Sequence, residues 1–237
     1  MPYKPHTRLP TNCADCENRS ARRFCNLSAE ALKDFGTIGM LVRFPKGAIV
    51  FREDDPGQSI AVICDGQVKL SCSSREGKTL ILKIALAGDV LGLGAVISGS
   101  RHEVTAETLG PTLIKSVHKG EFLGFLERHG QASMHAAKTL SEEYKSAFFD
   151  ARRLALSPSA AGRLAAVLLD WGNNAARGKP EMSFTMALTH EDLANLAGTS
   201  RETVTRALGK LRRDKVIQVD GSSVTIVNPE KLALIAS

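Results

Sequence analysis

The stretch Thr189-His190-Glu191-Asp192-Leu193-Ala194-Asn195-Leu196-Ala197-Gly198-Thr199-Ser200-Arg201-Glu202-Thr203-Val204-Thr205-Arg206 decides the fold. Thr189 to Asp192 has the pattern of a helix-opening capping box, and Thr199-Ser200-Arg201-Glu202 opens a second helix in the same way. Between them, Ala194, Gly198 and Val204 occupy the three positions that make a helix-turn-helix. A small residue lets the helices cross, a glycine supports the turn, and an apolar residue locks the second helix onto the first. Leu193, Leu196, Ala197, Leu208 and Leu211 supply the remaining apolar contacts. Downstream, Val216 to Val219 and Val224 to Val227 flank Asp220-Gly221-Ser222-Ser223 and read as a β-hairpin, the wing of a winged helix.

The second helix divides its duties between two faces. Val204, Leu208 and Leu211 point inward, while Arg201, Glu202, Thr205 and Arg206 share the opposite side. Arginine offers two donors to guanine O6 and N7, and glutamate accepts from cytosine N4. These four are the expected base-reading residues. Ser200, Lys210, Ser222 and Ser223 suit phosphate, which sets register without reading sequence. Arg201, Arg206, Lys210, Arg212, Arg213 and Lys215 fall within fifteen positions, the densest basic stretch in a chain of net charge +6.

Upstream the period changes. Ala137, Leu140, Tyr144, Ala147, Ala151 and Leu154 recur at spacings of three and four, the seam of a helix that pairs with a second copy of itself, with packing on the chain's own β-domain as the alternative. Ser157-Pro158 ends that helix. A further helix runs from Pro158 through Arg163 to Trp171, with Gly172-Asn173-Asn174 as its expected stop and a loop from Ala175 to Pro180. From Leu41 to about Val117, short Val/Ile/Leu runs alternate with turns such as Pro45-Lys46-Gly47, Asp65-Gly66 and Ala87-Gly88-Asp89, the signature of a sandwich or barrel.

The expected fold class is therefore α+β. Residues 1–26 form a cysteine-containing extension, 27–130 a β-roll (double-stranded β-helix), 131–157 a dimerisation helix and 158–237 the winged helix-turn-helix. Met1 to Asn12 lacks an apolar core and is no secretory signal. Leu80 to Ile97, the most apolar run, is broken by Lys83 and Asp89 and is no membrane span. The cytoplasm is the expected compartment. His118, His129 and His135 are scattered, and there is no phosphate-cradling glycine loop and no H-E-x-x-H, so an enzyme is not expected.

Ser-Arg-Glu-Thr-Val-Thr-Arg at 200–206 resembles the recognition helix of the cyclic-AMP receptor protein and fumarate–nitrate regulator superfamily. Gly88-Asp89, Gly92, Ser98-Gly99 and Ala106-Glu107-Thr108 are similar to its sensor pattern, especially that of the fumarate–nitrate branch. The resemblance covers about residues 27 to 237. It implies a homodimer on double-stranded DNA at an inverted repeat of TGTGA-like half-sites, TTGAT-like as second choice, with RNA polymerase as a partner. Relatives that bind cyclic AMP place a glutamate on the ribose and an arginine on the phosphate. Leu93 and Glu103 take those positions here, so cyclic AMP is not expected to bind.

Five cysteines, three of them between Cys13 and Cys25, read as metal or redox chemistry in a chain with no export signal. Cys13, Cys16 and Cys25 resemble the N-terminal iron–sulfur ligands of the oxygen-sensing fumarate–nitrate regulators. That resemblance implies control by redox, oxygen or nitric oxide through an iron–sulfur cluster, and Arg19, Arg22 and Arg23 suit an anionic cluster. The usual fourth cysteine is missing near Pro111 to Lys115. Cys64 is the best substitute, with His6 or Asp15 as alternatives. Zinc, direct thiol chemistry, and no metal with an unidentified effector or constitutive activity stay open.

Overall fold

A computed structural model describes Cys13, Cys16 and residues 24–156, 159–176, 182–186 and 188–236, with Arg153, Leu154 and Asn174 described by their backbone alone. His6, Asp15, Arg19, Arg22, Arg23, the Ser157-Pro158 boundary, most of the 175–180 loop and the seam side chain of Leu154 lie outside the described residues. The chain divides into two units, Met1–Cys72 with Leu82–Ser146, and Ser73–Ile81 with Ala147–Ser237.

In the first unit Ser28 caps helix α1 (Ala29–Thr37) by accepting from the Ala31 N–H, and the helix buries Ala31, Leu32 and Phe35. Eight strands follow: β1 (Met40–Phe44), β2 (Ile49–Phe51), β3 (Ser59–Asp65), β4 (Gln67–Ser73), β5 (Thr79–Leu86), β6 (Val90–Leu91), β7 (Thr105–Thr108) and β8 (Thr112–His118). The short helix α2 (Leu93–Ser98) separates β6 from β7. The strands form two four-stranded sheets, ordered β1-β8-β3-β6 and β2-β7-β4-β5.

Strand alternation assigns each residue its core. Ala61, Ile63, Leu91 and Ile114 of the first sheet meet Val68, Ala85 and Ala106 of the second, filling the roll. Their neighbours Ile60, Val62, Val90 and Val117 face the other way, into a helical layer. That layer contains α1, α3 (Lys119–Arg128) and the start of α4 (Gly130–Leu156), through Leu32, Phe35, Phe122, Phe125, Ala132 and Ala136. Phe24 packs edge-on against Phe35 at 5.6 Å.

The 27-residue α4 exposes Ala137, Tyr144, Ala147 and Ala151 of the expected seam. Leu140 is instead half-buried against the helical layer. Heptad spacing cannot tell which neighbour a face meets, and a straight helix drifts about 20° per heptad from the 3.5-residue repeat. Exposed Met134, Phe148, Phe149 and Leu156 extend the apolar surface beyond the expected set.

The second unit contains α5 (Ala160–Ala176), β9 (Met182–Thr185), α6 (His190–Ala197), α7 (Arg201–Arg213), β10 (Ile217–Asp220), β11 (Ser223–Ile226) and α8 (Pro229–Ala236). Helix α5 does not stop at Gly172-Asn173-Asn174 but continues to Ala176. A Cβ on Gly172 would stand 2.3 Å from Ile226 Cδ1, so this glycine serves close helix–wing packing and not termination. The wing is a three-stranded sheet, β10-β11-β9, and not a bare hairpin. The sequence reading missed β9, which Ser183 pins through its hydroxyl, 2.6 Å from Thr225 Oγ1.

Candidate nucleic-acid interface

Helix α6 opens with both halves of the capping box: Thr189 Oγ1 accepts from the Asp192 N–H, and the Asp192 carboxylate accepts from the Thr189 N–H. It closes at Gly198, whose φ of 57° is a left-handed conformation that glycine adopts without steric cost. Ala194 and Val204 are fully buried, as their positions require. Arg163 of α5 fastens the turn from behind. Its Nε donates to the Ala197 carbonyl at 2.6 Å and its Nη2 to the Gly198 carbonyl at 3.2 Å. These carbonyls close α6, where a cation is also favoured by the helix dipole. Arg163→Leu is expected to destabilise this unit by roughly 1.5–3 kcal/mol, the worth of charged hydrogen bonds. The check is a lowered thermal midpoint together with weaker DNA binding.

Ser200 caps α7 by accepting from the Thr203 N–H at 3.3 Å, so its hydroxyl has a structural duty beside any phosphate contact. Val204, Leu208 and Leu211 are buried on one side of α7. Arg201, Glu202, Thr205 and Arg206 are exposed together on the other, and Lys210, Ser222 and Ser223 are exposed as well. The Glu202 carboxylate is held below the ordinary range by its own backbone N–H, by the Ser200 hydroxyl and by Arg201 and Arg206. It is thus ionised at neutral pH, an acceptor with no proton to donate. Thr205 differs from its neighbours because its hydroxyl is already engaged, donating to the Arg201 carbonyl and lying 2.9 Å from His190 Nδ1. Sequence reasoning missed both Arg163 and His190. Each acts across a distance that no local spacing encodes.

In the β-roll, Leu93 is buried in the helical-layer core and Glu103 is exposed. Arg101, two residues before Glu103, is exposed, and its guanidinium donates to the Asp54 carbonyl. His102 is only 4% exposed and stacks on Phe51 at 3.8 Å, and burial holds its imidazole below its ordinary value despite Glu103 and Asp55. Glu143 of α4 adds a carboxyl to this region. Burial foremost lifts it above the ordinary glutamate range, with Lys83 opposing and Asp89 and Glu103 reinforcing. Lys83 is itself paired with Asp89 at 3.3 Å. Because ionising Glu143 is harder in the folded chain, stability falls as pH rises from the ordinary glutamate value through the raised one. Glu143→Gln is expected to remove that dependence. Calorimetry should then show a higher midpoint than wild type at neutral pH and little difference below the ordinary glutamate value.

Cys16 is buried and its N–H donates to the Cys13 carbonyl at 3.4 Å, while Cys13 and Cys25 pack against the helical layer. Cys64 is buried near the end of β3. Among the described residues, no three His, Cys, Asp or Glu side chains are gathered as a group able to hold a metal ion. The described residues therefore do not assemble Cys13, Cys16, Cys25 and Cys64 into one ligand set. The histidines have structural places: His118 caps α3, His129 Nε2 lies 2.9 Å from Asp34, and His135 Nδ1 lies 3.3 Å from the Phe24 carbonyl oxygen. Among the described residues no helix is long and apolar enough to cross a membrane.

Residues 41–129 match the cyclic nucleotide-binding domain and residues 162–235 the Crp-like helix-turn-helix domain, together more than half of the chain. The nitrogen fixation regulation protein FixK of Bradyrhizobium diazoefficiens is 28% identical over 231 residues, covering 95% of this chain and 94% of that protein. The fumarate and nitrate reduction regulatory protein of Yersinia pestis is 28% identical over 192 residues, covering 81% of this chain and 76% of the relative. The solved structure of FixK2 from Bradyrhizobium japonicum shares the fold, with a TM-score of 0.76 at 21% identity over 84% of this chain and 98% of that one. A β-roll of the cyclic-nucleotide-binding type joined in one chain to a winged helix-turn-helix defines a DNA-binding transcription regulator. The chain belongs to the Crp/Fnr family.

Proposed function

We propose that this regulator acts as a homodimer that lays α7 of each protomer in a major groove and reads an inverted repeat. The observation that carries the reading is the joint exposure of Arg201, Glu202 and Arg206 on the capped first turns of α7, opposite Val204, Leu208 and Leu211. Two arginine forks and an ionised glutamate select guanine and cytosine edges, which favours a TGTGA-like half-site over a TTGAT-like one. The exposed apolar side chains of α4 supply the surface for a second copy, and two-fold symmetry in the protein calls for two-fold symmetry in the DNA. RNA polymerase is the expected downstream partner and the cytoplasm the expected compartment. Selection of bound duplexes from a random pool tests the reading. Inverted half-sites should emerge, whereas a pool that stays random would refute it.

On the input side, cyclic AMP is disfavoured. A carboxylate about 4 Å from the phosphate would cost on the order of 4 kcal/mol at an effective dielectric of 20, and Glu143 interacts with Glu103 to add to it. The N-terminal cysteines are the better candidates, as a redox-responsive element. Three thiols within thirteen residues, two of them joined by a backbone hydrogen bond, support that reading. An iron–sulfur cluster is its most specific form, although the described residues gather no complete ligand set. Iron and sulfide assays on protein purified without oxygen decide the form. Stoichiometric iron and sulfide support the cluster, zinc supports a zinc site, and metal-free protein whose DNA affinity changes on thiol oxidation supports direct thiol chemistry. Metal-free protein indifferent to oxidation would remove the cysteines from control.

A further inference from the structure

Thr205 lies on the exposed face of α7 between Glu202 and Arg206, yet its hydroxyl is already engaged by two partners. Its single proton goes to the Arg201 carbonyl at 2.9 Å, the back-bond of a helical threonine. Toward His190 Nδ1, 2.9 Å away, the same oxygen can then only accept, so Nδ1 carries the hydrogen. With Oγ1 fixed by two partners the side-chain rotamer is fixed as well. The part of the side chain left without a hydrogen-bonding duty is its methyl group.

We infer that Thr205 reads DNA with its Cγ2 methyl against the 5-methyl of a thymine, and that His190 is the positioning residue that keeps the hydroxyl out of the groove. This rests on the reading of α7 as the major-groove helix. The major groove displays the thymine methyl as the one apolar mark among the base edges, and a threonine methyl is a suitable partner for it. A freely rotating threonine could instead offer its hydroxyl to several bases and discriminate poorly. The contact between α6 and α7 thus converts an adaptable residue into a selective one.

The test uses full-length protein and duplexes with inverted TGTGA half-sites, and in parallel TTGAT half-sites, in which each thymine of one half-site is replaced in turn by deoxyuridine. That exchange removes one methyl group and leaves every hydrogen-bonding edge and phosphate in place. At one thymine the wild-type affinity should fall about four-fold, the worth of one buried methyl group. Thr205→Val keeps the methyl and should keep the thymine-to-uracil ratio, while Thr205→Ser keeps the hydroxyl and should bring the ratio to one. His190→Ala should shrink the ratio, a readout that phosphate contacts cancel out of. Full wild-type affinity at every deoxyuridine position, or an undiminished ratio in Thr205→Ser, would overturn the inference while the α7 reading stands. Failure of the wild-type protein to prefer the intact repeats over a scrambled duplex would overturn the α7 reading, and this inference with it.

Discussion

Phe148→Glu is expected to leave a folded chain that no longer dimerises and binds its inverted repeat at least a hundredfold more weakly. Phe148 is 65% exposed, and Tyr144, one turn before it, is 72% exposed. Ala137, Tyr144, Phe148 and Ala151 follow one another at seven, four and three residues, so they share a stripe along α4. Large apolar side chains left in water along a helix call for a partner surface. In a two-fold contact each position counts twice. Withdrawing two phenylalanines from burial costs on the order of 3–6 kcal/mol, and an unpaired carboxylate adds to it. A monomer can engage one half-site only, so the loss of dimer becomes a loss of DNA affinity. Sedimentation velocity and anisotropy titration on the same preparation check both halves, with circular dichroism to show that the fold is kept. An unchanged dimer would place the protomer contact elsewhere.

Arg206→Ala is the second large effect. The side chain is exposed on the reading face, and its Nη2 donates a long bond to Thr203 Oγ1 at 3.4 Å, which a base can readily replace. Losing one bidentate pair should cost about 1–3 kcal/mol at one guanine per half-site. The protein should then accept other bases at that position while holding its preferences elsewhere. Lys210→Ala is the control with the opposite signature, a comparable weakening on every duplex and a salt slope reduced by about one. Competition titrations against single-base variants separate the two. Equal loss on all sequences for Arg206→Ala would assign it to phosphate.

What the sequence disclosed follows the range of the interactions involved. The helix-turn-helix was legible because Thr189, Ala194, Gly198, Ser200 and Val204 act within a few residues of one another, through caps, a left-handed turn and one crossing. The β-roll was legible through its turns. Features set by distant packing were not. Strand β9 has four residues and depends on β11 some forty positions later. Gly172-Asn173-Asn174 looks like a stop until Ile226 is placed beside it. Leu140 fits a heptad as well as its neighbours do, and only the buried layer shows that it faces inward. In the site, local spacing put Arg201, Glu202, Thr205 and Arg206 on one face, but the His190 contact that engages the Thr205 hydroxyl spans fifteen residues. The cysteine motif was legible as a motif, whereas convergence with Cys64 is a tertiary property that the described residues do not provide.

The proposed arrangement is a symmetric dimer whose α7 helices read an inverted repeat. Its most direct test is an anisotropy titration of the full-length protein, in the form that binds DNA, against duplexes whose TGTGA-like half-sites are centred about one helical turn apart, and against the same duplexes with one half-site shifted by half a turn. Tight, specific binding of two protomers per duplex at the one-turn spacing, lost when the half-site is shifted, is the predicted result. Binding indifferent to spacing and equal to that of a scrambled duplex would contradict it.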